Sequence, residues 1–468
     1  MRKQIYILLI SSVVLLSACN DFLTENVRSE FDSETLFTSE SGALAAVNGL
    51  YKGMSFQSSD NLLWLFGDVA SDDAVKGGNP GDQADFGFID DFSANAENGA
   101  LSIYWQYTYD LIAQCNNVIA YVPAIESISP DLRNRLVAEA KFIRAYSYFN
   151  LVNVWGKVPL KLKPQNEAAN IHVPLSEVAV IYAQINTDLT DASILPDQYA
   201  ASTDLGRVTK GAVYALQAKL NLFQQDWDGC LSAIDQLEKL NKYDLVYDYA
   251  DLFKVGSEDS VEVIFAARHM TDQVPRLGNS LNQWFAPSTE NGYYFNAPTE
   301  SYVESFNELT IAGETDPRLD VSIGRDGQPW FNRNTFSASW SMATGYLVKK
   351  HNQPLSEVPS GRKGDGYLPF IYLRYADVLL MKAEALNEQK GNDAVANAAI
   401  ALNKVRGRAG LAPTTANNES ALREVIRKER RRELGFESHR FFDLMRWEKE
   451  PRFYFPIPQS ETDANQAL

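Results

Sequence analysis

Residues 419–447 read ESALREVIRKERRRELGFESHRFFDLMRW. Leu422, Val425 and Ile426 recur at helical spacing and give the opening turns one apolar side. An unbroken charged run follows, Lys428-Glu429-Arg430-Arg431-Arg432-Glu433. The helix should stop near Gly435, after which Phe441, Phe442, Leu444, Met445 and Trp447 supply a second apolar face. Taken alone, Arg430 to Arg432 would suggest a phosphate-binding patch. Glu424, Glu429, Glu433 and Glu437 interleave with them, and Glu424 stands four residues ahead of Lys428, a spacing that favours an intrahelical pair. The stretch therefore reads as a charge-paired, partly buried helix.

The block from Ile426 to Trp447 closely resembles the C-terminal signature of the SusD/RagB family of outer-membrane lipoproteins, whose members capture nutrients, usually glycans, for a transporter in the membrane. Further segments are similar to the same family: AEAKFIRAYSYFNLVNVWGKVPL at 138–160, YDLVYDYADLF at 243–253, SVEVIFAAR at 260–268, Asp316-Pro317-Arg318-Leu319, YLRYADVLLMKAEALNE at 372–388 and Phe455-Pro456-Ile457-Pro458. They span most of the chain. The resemblance implies a mainly α fold, an α-solenoid of divergent tetratricopeptide-type helix pairs with a loop-rich, mixed ligand-binding lobe. No strict 34-residue period is visible in the residues themselves.

The residues support a helical reading independently. Helices are expected at Ser41–Ser55, from Leu101 through Ile119, from Pro130 to Trp155, at Pro174–Ser193, Thr209–Gln224, Trp227–Leu240, Phe370–Lys390 and Asn392–Arg408. Ser129-Pro130-Asp131 supplies a cap, a first-turn proline and an early acid. Gly156 and Pro159 close that helix. Short strands are expected at Val261–Ala266 and Gly345–Lys349. Trp105, Tyr146, Tyr148, Trp155 and Trp447 fall on helical faces and read as core. The expected organisation is a signal segment at 1–18, a tether at 19–40, an N-terminal helical region at 41–240 and a C-terminal region at 241–468 carrying a loop-rich insertion at 270–368.

Arg2 and Lys3 precede an apolar run from Ile5 to Leu16, the layout of a secretory signal. Leu16-Ser17-Ala18-Cys19 looks like a lipobox, so Cys19 is the expected lipidation site, anchoring the protein to the outer membrane on its extracellular side. The chain of 468 residues is 45% hydrophobic, enough for a large core or two lobes, and carries a net charge of −17. That acidity argues against nucleic acid and anionic membrane surfaces as partners. Cys115 and Cys230 fall in apolar helical stretches and read as small buried hydrophobes.

No catalytic motif stands out. The chain has no GxSxG elbow, Walker loop or HExxH helix, and His172, His269, His351 and His439 lack metal-ligand spacing. The sequence calls for no enzyme, metal or cofactor. Gly361-Arg362-Lys363-Gly364-Asp365-Gly366 reads as a flexible turn.

Two irregular stretches combine aromatic rings with polar side chains, the mixture a sugar site needs, because sugars offer apolar C–H faces and polar edges. The first runs from Trp64 to Phe92 and the second is NQWFAPSTENGYY at 282–294. The resemblance implies that aromatics from these two regions form a glycan-binding arc. Trp284, Tyr293 and Tyr294 are the candidate stacking rings, with Asp72, Asp73, Lys76 and Asn79 as candidate polar contacts. Lys76-Gly77-Gly78 stands opposite the family's usual first-loop aromatic. The leading expectation is a lipoprotein that captures oligosaccharides or polysaccharides for a SusC-type TonB-dependent transporter. A lipid-anchored helical-repeat scaffold for protein or peptide partners, and an extracellular glycoside hydrolase, are the two other readings.

Overall fold

A computed structural model describes residues 36–164, 172–331, 334–358, 362–391, 393–447 and 452–459. The expected signal segment, Cys19 and most of the tether lie outside the described residues. The fold is mainly α. We label its principal helices α1 (Glu40–Met54), α2 (Ala84–Asp90), α3 (Gly99–Tyr121), α4 (Pro130–Trp155), α5 (Val178–Ala192), α6 (Lys210–Phe223), α7 (Trp227–Lys239), α8 (Tyr375–Gln389), α9 (Ala394–Arg408), α10 (Glu419–Leu434) and α11 (Arg440–Trp447). Successive helices pack as pairs, α3 with α4, α6 with α7 and α8 with α9, while α8 also joins α7 to α10. Among the described residues no helix is long and apolar enough to cross a membrane.

Local chemistry fixes the helix ends. The Ser129 hydroxyl accepts from Leu132 N at the start of α4, and Asn418 accepts from Ala421 N at the start of α10. At the other end of α4, Gly156 turns the chain with φ +69. Gly435 follows α10 for a different reason. Its backbone is not left-handed, but a Cβ there would lie 2.4 Å from the Tyr302 ring. Contact, not conformation, selects this glycine.

One segment departs from the helical expectation. Phe370–Arg374 is a strand (β4) that pairs antiparallel with β2 (Val263–Ala267), and α8 begins only at Tyr375. Phe370, Ile371 and Tyr372 are β-branched or aromatic, suited to a pleated surface, and the partner strand decides between the two states. The first stretch, Trp64 to Phe92, read as irregular, also carries structure: a π-helical turn at Leu65–Val69, β1 (Ala74–Gly77) and α2.

A continuous apolar core runs from Ala43 to Phe455 and includes Trp105, Tyr148 and Trp155. Cys115 and Cys230 are buried free thiols within it. Beside it lies the charged face of α10. Arg318 bonds Asp316, Glu429 and Glu433, and Arg374 bonds Glu262, Glu433 and Glu437. Arg430 joins Asp377 to Asp443. All of these side chains are buried, so each charge is compensated where water cannot do it. The signature stretch is an ionic lattice locking the C-terminal helices to the Asp316–Arg318 turn and the β2–β4 pair.

Candidate functional site

The two aromatic stretches are brought together by strand pairing. β1 runs antiparallel to β3 (Phe295–Pro298), with Ala74 opposite Pro298 and Gly77 opposite Phe295. The Gly77-Gly78 doublet permits this. Both residues have positive φ, and a Cβ would fall 2.3 Å from the Tyr294 carbonyl oxygen at Gly77 and 2.8 Å from the Phe295 ring at Gly78.

Above this pairing sits a layered aromatic cluster. Trp64, Phe86 and Phe295 form a buried floor. Trp284 lies against all three, with ring centroids 5.9, 6.0 and 5.2 Å away. Tyr293 meets Trp284 edge-on at 5.6 Å and is 45% exposed. Trp284 is half-buried, so the cluster presents two accessible rings on a packed base. Tyr294 points elsewhere. It is buried against Trp330, Phe336 and Leu347, while its hydroxyl donates to Asn79 Oδ1 and ties the second stretch to the first. The Lys76 ammonium donates to the Asn79 and Asp82 carbonyls and lies 5.6 Å from the Phe295 ring centroid.

Four of the seven candidates, Trp284, Tyr293, Lys76 and Asn79, therefore converge; the expectation that Tyr294 is a stacking ring is corrected, because it is buried in the Trp330 cluster and ties the two stretches through Asn79. Asp72 and Asp73 stand at the far end of β1, facing α10 and α11. Arg440 Nε lies 2.7 Å from Asp72 Oδ1, and Arg431 Nε lies 2.5 Å from Asp73 Oδ1. Burial pushes the Asp73 carboxyl up to about 6 although Arg431 and Arg440 oppose it. Burial would also raise Asp72, but Arg440 and Arg431 outweigh it and hold that carboxyl below its ordinary value. Asp73 is 1% exposed, so the expectation that it contacts a ligand is corrected: it anchors α10 to the loop. Asp72 is occupied by the same two arginines.

The SusD family model matches residues 261–452, and a second, described as starch-binding associating with outer membrane, matches residues 21–222. This is a SusD-like protein. SusD-like protein P25 of Formosa agariphila is 26% identical, covering 99% of this chain and 97% of the relative. A SusD-like protein of Bacteroides ovatus is 25% identical over 95% of this chain and 82% of its own length. Among solved structures, a laminarin binding SusD-like protein superposes with a TM-score of 0.78 at 25% identity, covering 92% of this chain and 98% of that one. Surface glycan-binding protein A of Bacteroides thetaiotaomicron, in complex with laminarihexaose, shares the fold at 23% identity and TM-score 0.74, covering 91% and 97%.

Several residues that hold this candidate site together were not singled out in the sequence. Glu290 accepts from Trp330 Nε1 at 2.8 Å and from Lys363 Nζ at 2.6 Å. Lys363 also donates to the Gln353 carbonyl. Its pKa is lowered, burial outweighing the carboxylate of Glu290. The glycine-rich segment read as a flexible turn is thus a buried clamp where it is described: Lys363 and Asp365 are buried, and a Cβ on Gly364 would meet Gln283. The glycine spacing was visible in the sequence, but a lysine among glycines gives no hint of its buried partner. A separate cavity of about 290 Å³, lined by Tyr51, Leu205, Phe265 and Met270, shares no residue with the platform.

Proposed function

We propose that this protein is a surface-exposed, lipid-anchored glycan-binding protein that captures oligosaccharides on the Trp284–Tyr293 platform and passes them to a SusC-type TonB-dependent outer-membrane transporter. The observation that carries the reading is the pair of accessible rings on a buried aromatic base. A loop needs no exposed tyrosine against a tryptophan to stay folded, whereas a pyranose ring stacks its C–H face on such a surface. The neighbouring amides of Asn79, Gln283 and Asn291 offer the hydrogen-bonding edges a sugar requires. The laminarin-binding structural neighbour and the laminarihexaose complex support a glycan as ligand. The membrane-associated family description supports the location, and Cys19 is the residue proposed to carry the lipid.

Isothermal titration with a polysaccharide panel tests the reading. Trp284→Ala should abolish detectable binding with a melting transition still cooperative. A Tyr293→Ala/Tyr294→Ala pair should do the same, while also loosening the Trp330 cluster. Unchanged affinity in both would remove this site. Binding of peptide but not glycan would favour the scaffold reading, and release of reducing sugar would favour a hydrolase.

A further inference from the structure

We propose that a second site, a small pocket beside α10, binds an acidic sugar unit, with Arg427 holding its carboxylate and Trp227 meeting its ring. The pocket, of about 120 Å³, lies where the α6–α7 turn, α8, α10 and the end of α11 meet, and it shares no residue with the platform. Leu222 and Ile426 give it an apolar lining.

Arg427 is the exception among the five arginines of α10. Arg423 donates from Nε and Nη2 to the Glu388 carboxylate at 2.6 Å each, and Arg430, Arg431 and Arg432 bond carboxylates or carbonyls on other elements. Arg427 makes no hydrogen bond among the described residues, and its Nε is enclosed without a partner. Its one ion pair, to the exposed Glu424, spans 3.9 Å, beyond hydrogen-bond reach and of little energetic weight. The group is nevertheless held in place. The half-buried guanidinium lies over the Trp447 ring, 4.8 Å from its centroid, so the planar fork is positioned while its donors stay free.

The carboxylates that line the pocket are already matched. Glu388 is taken by Arg423, and Glu384 accepts from Arg446 Nη2 at 2.7 Å and from Trp447 Nε1 at 3.0 Å. Three arginines and two glutamates line the space, which therefore carries one positive charge in a chain of net charge −17. A single free guanidinium edge makes a bidentate match to one planar carboxylate; a sulfate or phosphate presents more acceptor oxygens than one fork can serve. Beside Arg427, the half-buried Trp227 indole and the exposed Gln225 amide line the same space. These offer what a sugar's C–H face and hydroxyls require. The volume is well below the ~300 Å³ at which pockets for drug-sized ligands begin, which limits the occupant to a single unit, a uronate.

The test titrates the mature protein with glucuronate and follows tryptophan fluorescence, with glucose, glucose 6-sulfate and acetate as matched probes. The salt is 0.15 M, where a screening length of about 8 Å mutes the protein's more distant negative charges. Glucuronate should saturate the site at least tenfold more tightly than each of the other three. Arg427→Gln should cost at least tenfold in that affinity, and Arg427→Lys should not restore it, because an ammonium lacks the fork. Since Arg427 holds no hydrogen bond, both variants should melt with the parent. Trp227→Ala should also weaken glucuronate, whereas Trp284→Ala should leave it unchanged, which separates this pocket from the platform. Acetate binding as tightly as glucuronate would overturn the sugar, and glucose 6-sulfate doing so would overturn the carboxylate. Absence of saturable glucuronate binding, or binding unchanged in Arg427→Gln, would overturn the site and leave glycan capture on the platform standing.

Discussion

Replacing Glu433 by glutamine should be among the most destabilising isosteric changes available in this protein. The Glu433 carboxylate lies fully buried among three guanidinium groups: Arg374 Nη1 at 2.6 Å, Arg318 Nη1 at 2.9 Å, and Arg408 Nη2. Burial alone would raise its pKa, but Arg408, Arg374 and Arg318 together hold it well below the ordinary carboxylate range. Glutamine keeps the volume, removes the charge and turns an amide donor toward cations that also donate. Breaking a buried pair by removing one partner costs about 3–5 kcal/mol. With an unfolding entropy of about 2.1 cal/mol/K per residue, a chain of 468 residues should lose about 3–5 °C in Tm at pH 7. The pH dependence has a definite sign. A carboxylate with a depressed folded pKa stabilises the fold above its unfolded value of about 4.3, and that contribution is lost as pH falls toward the folded value. The variant's deficit should therefore shrink as pH is lowered below about 4.3. Differential scanning calorimetry from pH 3 to pH 8 is the assay, with the exposed Glu424→Gln as control. A Glu433→Gln Tm within about 1 °C of the parent at pH 7 would refute the claim that the ionic lattice holds the C-terminal helices.

Other outcomes follow from the same physics. Arg431→Ala should lower stability without selectively removing glycan affinity, because Arg431 serves Asp73, Asp72 and Ser301 rather than the platform; normal stability with lost binding would contradict that. Asp68 is buried between Asn296 Nδ2 and Ser438 N, and burial pushes its pKa up to about 7. A raised folded pKa means stability present at low pH and lost as pH rises from about 4 to about 7, so Asp68→Asn should gain Tm relative to the parent across that range and level off above it; parallel Tm–pH curves would count against it. Glu290→Ala should weaken glycan binding indirectly by freeing Trp330 and Lys363, measurable as lower affinity together with a Tm loss. Cys19→Ala should leave the outer-membrane fraction when no partner transporter is present, as acyl chains contribute about 0.8 kcal/mol per buried CH₂; a mutant retained there would show another anchor.

Periodicity, caps and turn residues in the sequence determined where most helices lie, because these depend on contacts three or four residues apart. Ser129-Pro130 and Gly156 bounded α4 as read, and the alternation of acid and base along α10 already argued that its arginines are paired. The sequence also placed the candidate stacking rings in the second of two irregular stretches far apart in the chain. Tertiary structure decided the rest. Phe370–Arg374 became a strand because β2 lies beside it; its aromatic and β-branched residues suit a strand, but only the partner strand decides. The fates of Asp73 and Lys363 turned on partners distant in the chain: Asp73 and Arg431 stand 358 positions apart, and Glu290 and Lys363 73. A carboxylate in a polar loop looks the same in sequence whether it faces water or a guanidinium. Only the fold, by bringing that guanidinium within 2.5 Å, turned a candidate ligand contact into a structural anchor and left Trp284 and Tyr293 as the accessible surface.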